Sequence, residues 1–301
     1  MKHEDFSNQA KGELSRLLSE DGGFASLPGA ESRPEATAWG LLALRFLQVD
    51  SGSVLRSARK LQGWQDVQGG LASKLEDYAV VWPTSLAVIA WTGIPEAQEA
   101  RDKALDFLLG NTVSKARKVS EGGVYSDPDL AGWPWNNKTY SWVAPTSVAL
   151  IALKSAGREK ISRYNRAIQM LLQRQLPSGG WNFGNTVVFD SELPPLPDTT
   201  GMALCALAGE VEPSLVQTSL NYLKQELPQM DSPAALGWGL LALKAWKMAC
   251  PDVARRAGQS MAKAVALHVL TCESIGLLTL AVAVEQSLPQ TLQSGAGGGL
   301  K

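Results

Sequence analysis

Val143-Ala-Pro-Thr-Ser-Val-Ala-Leu-Ile-Ala-Leu153 is apolar almost all the way round when wound at 3.6 residues per turn, and it opens on a proline and a threonine. Four other stretches repeat it: Pro34-Glu-Ala-Thr-Ala-Trp-Gly-Leu-Leu-Ala-Leu44, Val81-Trp-Pro-Thr-Ser-Leu-Ala-Val-Ile-Ala-Trp91, Leu196-Pro-Asp-Thr-Thr-Gly-Met-Ala-Leu-Cys-Ala-Leu207 and Pro233-Ala-Ala-Leu-Gly-Trp-Gly-Leu-Leu-Ala-Leu243. A degenerate sixth copy runs from Cys272 through Ser274 to Val284. Thr37, Thr84, Thr146, Thr200, Leu236 and Ser274 hold equivalent places, so the chain is an internal repeat. A helix without a polar face must be covered on all sides.

The covering helices lie between the copies. Asp5–Ser19, Ser53–Gln65, Glu96–Leu109, Arg158–Gln175, Pro213–Glu226 and Asp252–Ala266 carry charge on one face and Leu or Ala on the other. Strict alternation of the two kinds predicts an all-α protein, an (α/α)6 barrel or toroid with six inner and six outer helices. A straight solenoid is the alternative, but its helices are seldom apolar on every face. Residues 1–287 are expected to form one toroid domain and residues 288–301, rich in Gly, a flexible tail. Paired glycines in Asp21–Ser26, Gln68–Ser73, Glu121–Ser126 and Ser178–Phe183 are expected to turn the chain from an outer helix into the next inner one.

Composition narrows the function. The 28 Lys and Arg almost cancel 29 Asp and Glu, so there is no basic footprint for nucleic acid. The charged start and the short apolar runs offer neither a signal peptide nor a membrane span, which leads to the expectation of a cytoplasmic protein. Cys205, Cys250 and Cys272 lack zinc-ligand spacing, and two histidines, His3 and His268, cannot be built into a metal site or a nucleophile triad. No metal and no cofactor is expected. The unusual counts are 28 Gly and 10 Trp. Three of those tryptophans, Trp133, Trp135 and Trp142, fall in the longest insertion, Asn111–Val143, which is expected to cover one barrel mouth.

Ala167-Ile-Gln-Met-Leu-Leu-Gln-Arg-Gln175 with Pro177-Ser-Gly-Gly-Trp181 resembles the QW repeat of squalene and oxidosqualene cyclases, and Ala58–Gln65 with Gly69-Gly70-Leu71 is a weaker copy. The resemblance covers most of residues 5–287. It implies the α/α toroid of the superfamily that also holds protein prenyltransferase β subunits, with an apolar cavity for an isoprenoid-like small molecule. Asp198-Thr199-Thr200-Gly201 is similar to the Asp-Cys-Thr-Ala motif of the oxidosqualene branch and puts Asp198 at the proton donor's place. Leu196 and Thr199 stand where the fuller cyclase motif has Asp. The Asp-x-Cys pair of the zinc prenyltransferases is absent.

Protonating an alkene demands a carboxyl kept protonated in a dry pocket. Asp198 is therefore the candidate general acid, with a plain helix N-cap as the competing role. The equivalent position in the first copy is Glu35, a candidate second carboxylate expected opposite Asp198 across the ring; the second copy has Trp82 there. One turn deeper on the same faces come Trp39, Met202 and Trp238, which with Trp82 and Thr200 form the candidate ligand contacts. Those indoles could equally fill the barrel as core. A single toroid is about half a squalene cyclase, so it would need a partner subunit, a second copy or a smaller substrate; peripheral contact with a membrane fits the same reading. A non-catalytic toroid that binds an isoprenoid or a protein is the alternative.

Overall fold

The computed structural model describes residues 2–73, 80–110, 130–136, 140–184, 187–188 and 191–294. Among them thirteen α-helices follow one another: α1 (His3–Ser15), α2 (Pro34–Phe46), α3 (Ser51–Gln62), α4 (Val81–Trp91), α5 (Gln98–Gly110), α6 (Val143–Ser155), α7 (Ser162–Gln173), α8 (Pro197–Leu207), α9 (Gln217–Glu226), α10 (Pro233–Ala245), α11 (Val253–Ala266), α12 (Cys272–Ala283) and α13 (Leu288–Gln293). A two-residue hairpin, β1 (Val187–Val188) with β2 (Ser191–Glu192), precedes α8.

Burial sorts the helices. Ten of the eleven residues of α4 are buried against three of the thirteen in α5, so α4 is inside and α5 outside. The contacts then close on themselves: α2 packs on α4, α4 on α6, α6 on α8, α8 on α10, α10 on α12, and α12 back on α2. Around this ring lie α3 and α5 against α4, α7 against α6, α9 between α8 and α10, and α1 and α11 against α12. The protein is an all-α toroid.

The repeated threonine has one job in four copies. The Oγ1 of Thr37, Thr84, Thr146 and Thr200 accepts the backbone N–H of Phe24, Leu71, Trp133 and Trp181, at 2.9, 2.9, 2.8 and 2.9 Å. Each of those N–H groups follows a glycine in the turn that enters the inner helix, and each is buried, so an unpaired donor there would be costly. In the third copy the partner is Gly132-Trp133; the turn expected at Glu121–Ser126 lies outside the described residues. Gly69 and Gly179 take φ of +91° and +95° with backbone of the next outer helix under their Cα, and only glycine fits both demands.

Helical glycines set a second kind of contact. A Cβ on Gly201 of α8 would stand 2.8 Å from the Trp238 carbonyl carbon of α10, and one on Gly276 of α12 would stand 2.9 Å from Trp39 of α2. Inner helices therefore touch backbone to backbone at these two joints.

At the opposite helix ends, cations take over. Arg45 of α2 donates to the Ala90 carbonyl of α4 (2.9 Å), Lys154 of α6 to the Ala208 carbonyl after α8 (2.9 Å), and Lys244 of α10 to the Val284 carbonyl after α12 (2.8 Å). A positive charge at a helix C-terminus meets both the unpaired carbonyls and the negative end of the dipole. Burial lowers the Arg45 pKa to about 10, which still leaves it charged at neutral pH.

The first residues of the stretch expected to be a flexible tail form a helix. Leu288–Gln293 are helical, with Leu288, Pro289, Thr291 and Leu292 buried, because three apolar groups here have an apolar seat on α6. Gln293 Nε2 donates to the Lys154 carbonyl (2.6 Å) and the Leu292 carbonyl faces Gly93, so α13 lies across the C-terminal ends of α4 and α6. Residues 295–301 lie outside the described residues. No described helix is long and apolar enough to cross a membrane.

Candidate functional site

The N-terminal ends of the inner helices form one mouth of the toroid, and every candidate acid stands there. Glu35 is the second residue of α2, directly after Pro34, and Asp198 is the second residue of α8, directly after Pro197. In both helices proline fills the first position, where no amide hydrogen is needed, and the acid stands in the positive first turn. Two helices separate α2 from α8 in either direction round the ring, so the acids occupy opposite sides of the mouth.

Their surroundings differ. Asp198 is half-buried and its Oδ1 accepts the N–H of Thr199 (2.7 Å). It is not an N-cap: Leu196 holds that place, one residue before the proline. Glu35 is drier. Burial lifts its carboxyl above the usual carboxylate value, and the negative charge of Glu273 acts in the same direction. The Ser73 hydroxyl and Arg33 oppose that rise without cancelling it. Its Oε2 is buried with no hydrogen-bond partner.

Glu273 was not singled out by the sequence. It is the second residue of α12, next to α2 across the joint where Gly276 meets Trp39. Ser26 Oγ donates to its Oε1 (2.6 Å), and its Oε2, like that of Glu35, is buried without a partner. The repeat alignment pointed one residue short, to Cys272, whose thiol instead donates to the Ala36 carbonyl (3.2 Å). An acid in the first turn, after a threonine N-cap, was the available signal.

Below the acids lies an aromatic floor. Trp39 and Trp238 are each 2% exposed and meet edge to face, 5.8 Å between ring centroids, from α2 and α10 across the small Gly276 of α12. The two indoles pack on each other at this level, one helical turn below Glu35. Met202, at 9%, is the more accessible residue of this layer. The Thr200 hydroxyl accepts from Trp181 N–H and donates to the Trp181 carbonyl (3.2 Å), which commits it to the framework and removes it from the ligand contacts. Trp82 is half-buried at the rim of α4 and meets Trp135 of the large insertion at a tilt of 42°, 5.1 Å between centroids. Tyr140 and Phe183 are exposed near the starts of α6 and α8. Asp127 and Asp129 lie outside the described residues.

Much of the remaining tryptophan is structural. Trp133 donates its indole N–H to the Leu108 carbonyl (2.9 Å), Trp181 to Leu171 (2.7 Å) and Trp246 to Leu204 (2.9 Å). The glutamines of the repeat do similar work: Gln65 Nε2 reaches the Gly69 and Ala100 carbonyls, and Gln175 Nε2 the Ser219 hydroxyl. No group of three or more metal-binding side chains gathers among the described residues.

This architecture is the terpenoid cyclase-like, prenyltransferase-like α/α toroid fold. The type II terpene cyclase MstE from Scytonema, in complex with geranylgeranyl dihydroxybenzoate, matches 86% of this chain and 77% of its own at 16% identity and a TM-score of 0.58. The Candida albicans protein geranylgeranyltransferase-I complexed with GGPP matches 73% of this chain and 68% of its own, at 17% identity and a TM-score of 0.50. An α-1,6-mannanase of Salegentibacter sp. HEL1_6, in complex with α-1,6-mannotriose, shares the fold over 94% of this chain and 98% of its own, at 10% identity and a TM-score of 0.60. No protein-family model matches the chain, and no curated sequence is detectably similar to it.

Proposed function

We propose that this protein is a terpene cyclase-like toroid, an (α/α)6 arrangement of six inner and six outer helices, that takes an isoprenoid chain at its N-terminal mouth and protonates it. The observation that carries the reading is the carboxyl of Glu35. It is desolvated, raised in pKa, unpartnered at Oε2 and one helical turn above Trp39. Glu35 is the proton donor in this reading, its pKa raised mainly by burial and to a lesser degree by the Glu273 charge, and Asp198 is the second carboxylate across the mouth. These roles reverse the order that the sequence motif suggests. Trp39, Trp238, Met202 and Trp82 supply the apolar and π surface against which a carbocation is stabilised. The proton added to a terminal double bond leaves again when the last cation is quenched, so the product is an isomer of the substrate and no cofactor is consumed.

A type II terpene cyclase matched over three quarters of its length supports a toroid of this size as sufficient for such chemistry, without a second barrel. The packed Trp39–Trp238 floor favours a second reading, a toroid that binds an isoprenoid at the mouth without turning it over.

Incubation with C15 to C30 isoprenoids, including geranylgeranyl-substituted aromatics, followed by gas chromatography–mass spectrometry tests the proposal. A cyclised isomer is expected from the native protein and none from Glu35→Gln, with helical circular dichroism unchanged. Product that survives Glu35→Gln but disappears in Asp198→Asn returns the acid role to Asp198. Quenching of tryptophan fluorescence by the isoprenoid with no product at all selects the binding role.

A further inference from the structure

We propose that the isoprenoid taken at this mouth ends in an uncharged group, a hydrocarbon or an alcohol, and that charge keeps an isoprenoid diphosphate out. The inference rests on the reading of the mouth as the isoprenoid site and names the class of chain that enters it.

Acids crowd this face. The segments that run from an outer helix to the next inner one, together with the first turns of the inner helices, carry nine acids and three bases among the described residues. The chain as a whole nearly balances, with 28 bases to 29 acids. Two of the nine are offset by lysines of outer helices, Asp21 by Lys60 and Asp231 by Lys263, at 2.6 Å each. The three bases are engaged as well. Arg16 pairs with Glu13 of α1 (3.2 Å), Arg174 donates to the Ser141 carbonyl, and Arg33 precedes α2, where its charge acts on Glu35. The complete sequence of the connecting segments has the same sign, twelve acids to eight bases.

The apolar surface is gathered on the same face. Of the eight large apolar side chains exposed among the described residues, all but Leu215 stand in these connecting segments. Single exposed apolar residues mean little, but a set confined to one face marks where an apolar partner meets the protein. Trp135, Tyr140 and Phe183, ahead of α6 and α8, present rings to a chain end that stays at the rim.

Ligand charge also acts on the acid. A cation at the mouth would stabilise ionised Glu35 and so disarm it as a donor, whereas an anion would be repelled by Glu273 and Asp198. An uncharged end does neither.

Quenching of tryptophan fluorescence by geranylgeraniol, geranylgeranyl diphosphate and geranylgeranylamine, titrated into the full-length protein at low and at high salt, tests the inference. At low salt the alcohol is expected to bind at least about tenfold more tightly than the diphosphate, from like-charge repulsion summed over several pairs at about 10 Å; salt should narrow that gap. Glu31→Lys with Glu192→Lys, both exposed and placed ahead of α2 and α8, should narrow it too and leave the alcohol unchanged, with thermal melts confirming the fold. A diphosphate that binds as tightly as the alcohol overturns the proposal, as does tightest binding by the amine. A gap insensitive to both salt and the charge reversals also overturns it, because shape then selects. Alcohol bound by a protein that cyclises no isoprenoid removes the catalytic reading and supports this one, and no quenching by any of the three removes both.

Discussion

Replacing Gly201 by alanine puts two effects of known size in opposition. Alanine is the better helix former, by about 1 kcal/mol in a helix interior. At Gly201, however, the added Cβ stands 2.8 Å from the Trp238 carbonyl carbon and 2.9 Å from its Cβ and oxygen, where ordinary contacts begin at 3.4 Å. All three atoms belong to the α10 backbone or its first side-chain atom, so no rotamer relieves the clash. The helices must separate by about 0.5 Å or more, which loosens Trp238 against Trp39. Overpacking of this kind costs about 1–3 kcal/mol. With the propensity gain set against it, the net is a loss of up to about 2 kcal/mol, or up to several degrees of Tm at about 2–4 °C per kcal/mol. Gly12, exposed in the middle of α1 with nothing within 4 Å of its Cβ position, is the control: alanine there should gain up to about 1 kcal/mol. Thermal and urea melts followed by circular dichroism at 222 nm measure both. If Gly201→Ala raises Tm as Gly12→Ala does, close backbone contact is not what closes this side of the ring.

Three other outcomes are expected. Glu35 is raised in pKa by folding, so the folded state holds its proton to higher pH than the unfolded chain. Stability therefore falls as pH rises from the usual carboxylate range through the folded-state value, and Glu35→Gln should flatten that slope in urea melts taken between pH 4 and 8; an unchanged slope refutes the desolvated setting. Thr146→Val keeps the shape but leaves the buried Trp133 N–H without its acceptor, and about 1–3 kcal/mol of stability should go with it; a loss below about 0.5 kcal/mol shows the strut to be dispensable. Leu292→Asp should detach α13, with faster hydrogen exchange at the C-terminal ends of α4 and α6 and none at α9; uniform exchange across the toroid contradicts a local role for α13.

The architecture was legible because its signal is dense. Inner helices such as Val143–Leu153 have no polar face at all, and a recurring threonine marks where each begins. The joints between helices were less visible. Gly201 and Gly276 look like weak helix residues until the neighbouring backbone is seen beside them. Arg45, Lys154 and Lys244 read as ordinary last-turn charges, although their partners are carbonyls 40 to 54 residues away. The site was half legible for the same reason. Asp198 and Glu35 stand in comparable sequence contexts, proline before and a helix after, and only the three-dimensional surroundings show that Glu35 has a carboxyl oxygen buried without a partner. Glu273 was hidden by the one-residue offset of the sixth copy, and α13 because a glycine-rich terminus outweighed three apolar residues.

The contact of α12 with α2 joins the last inner helix to the first. Ser26 meets Glu273 across 247 positions of chain, and Cys272 meets Ala36 across 236. Every other joint in the ring links neighbours along the sequence, and those local encounters form soonest, while the widest loop closes at the greatest entropic cost. Two of the three carboxylate oxygens buried without a partner among the described residues, those of Glu35 and Glu273, belong to the two helices of this last joint. A chain still emerging from the ribosome has Glu35 but not its neighbour, and no environment that desolvates it. The surroundings that raise the Glu35 pKa are thus complete only once the ring has closed, and a nascent chain lacks them.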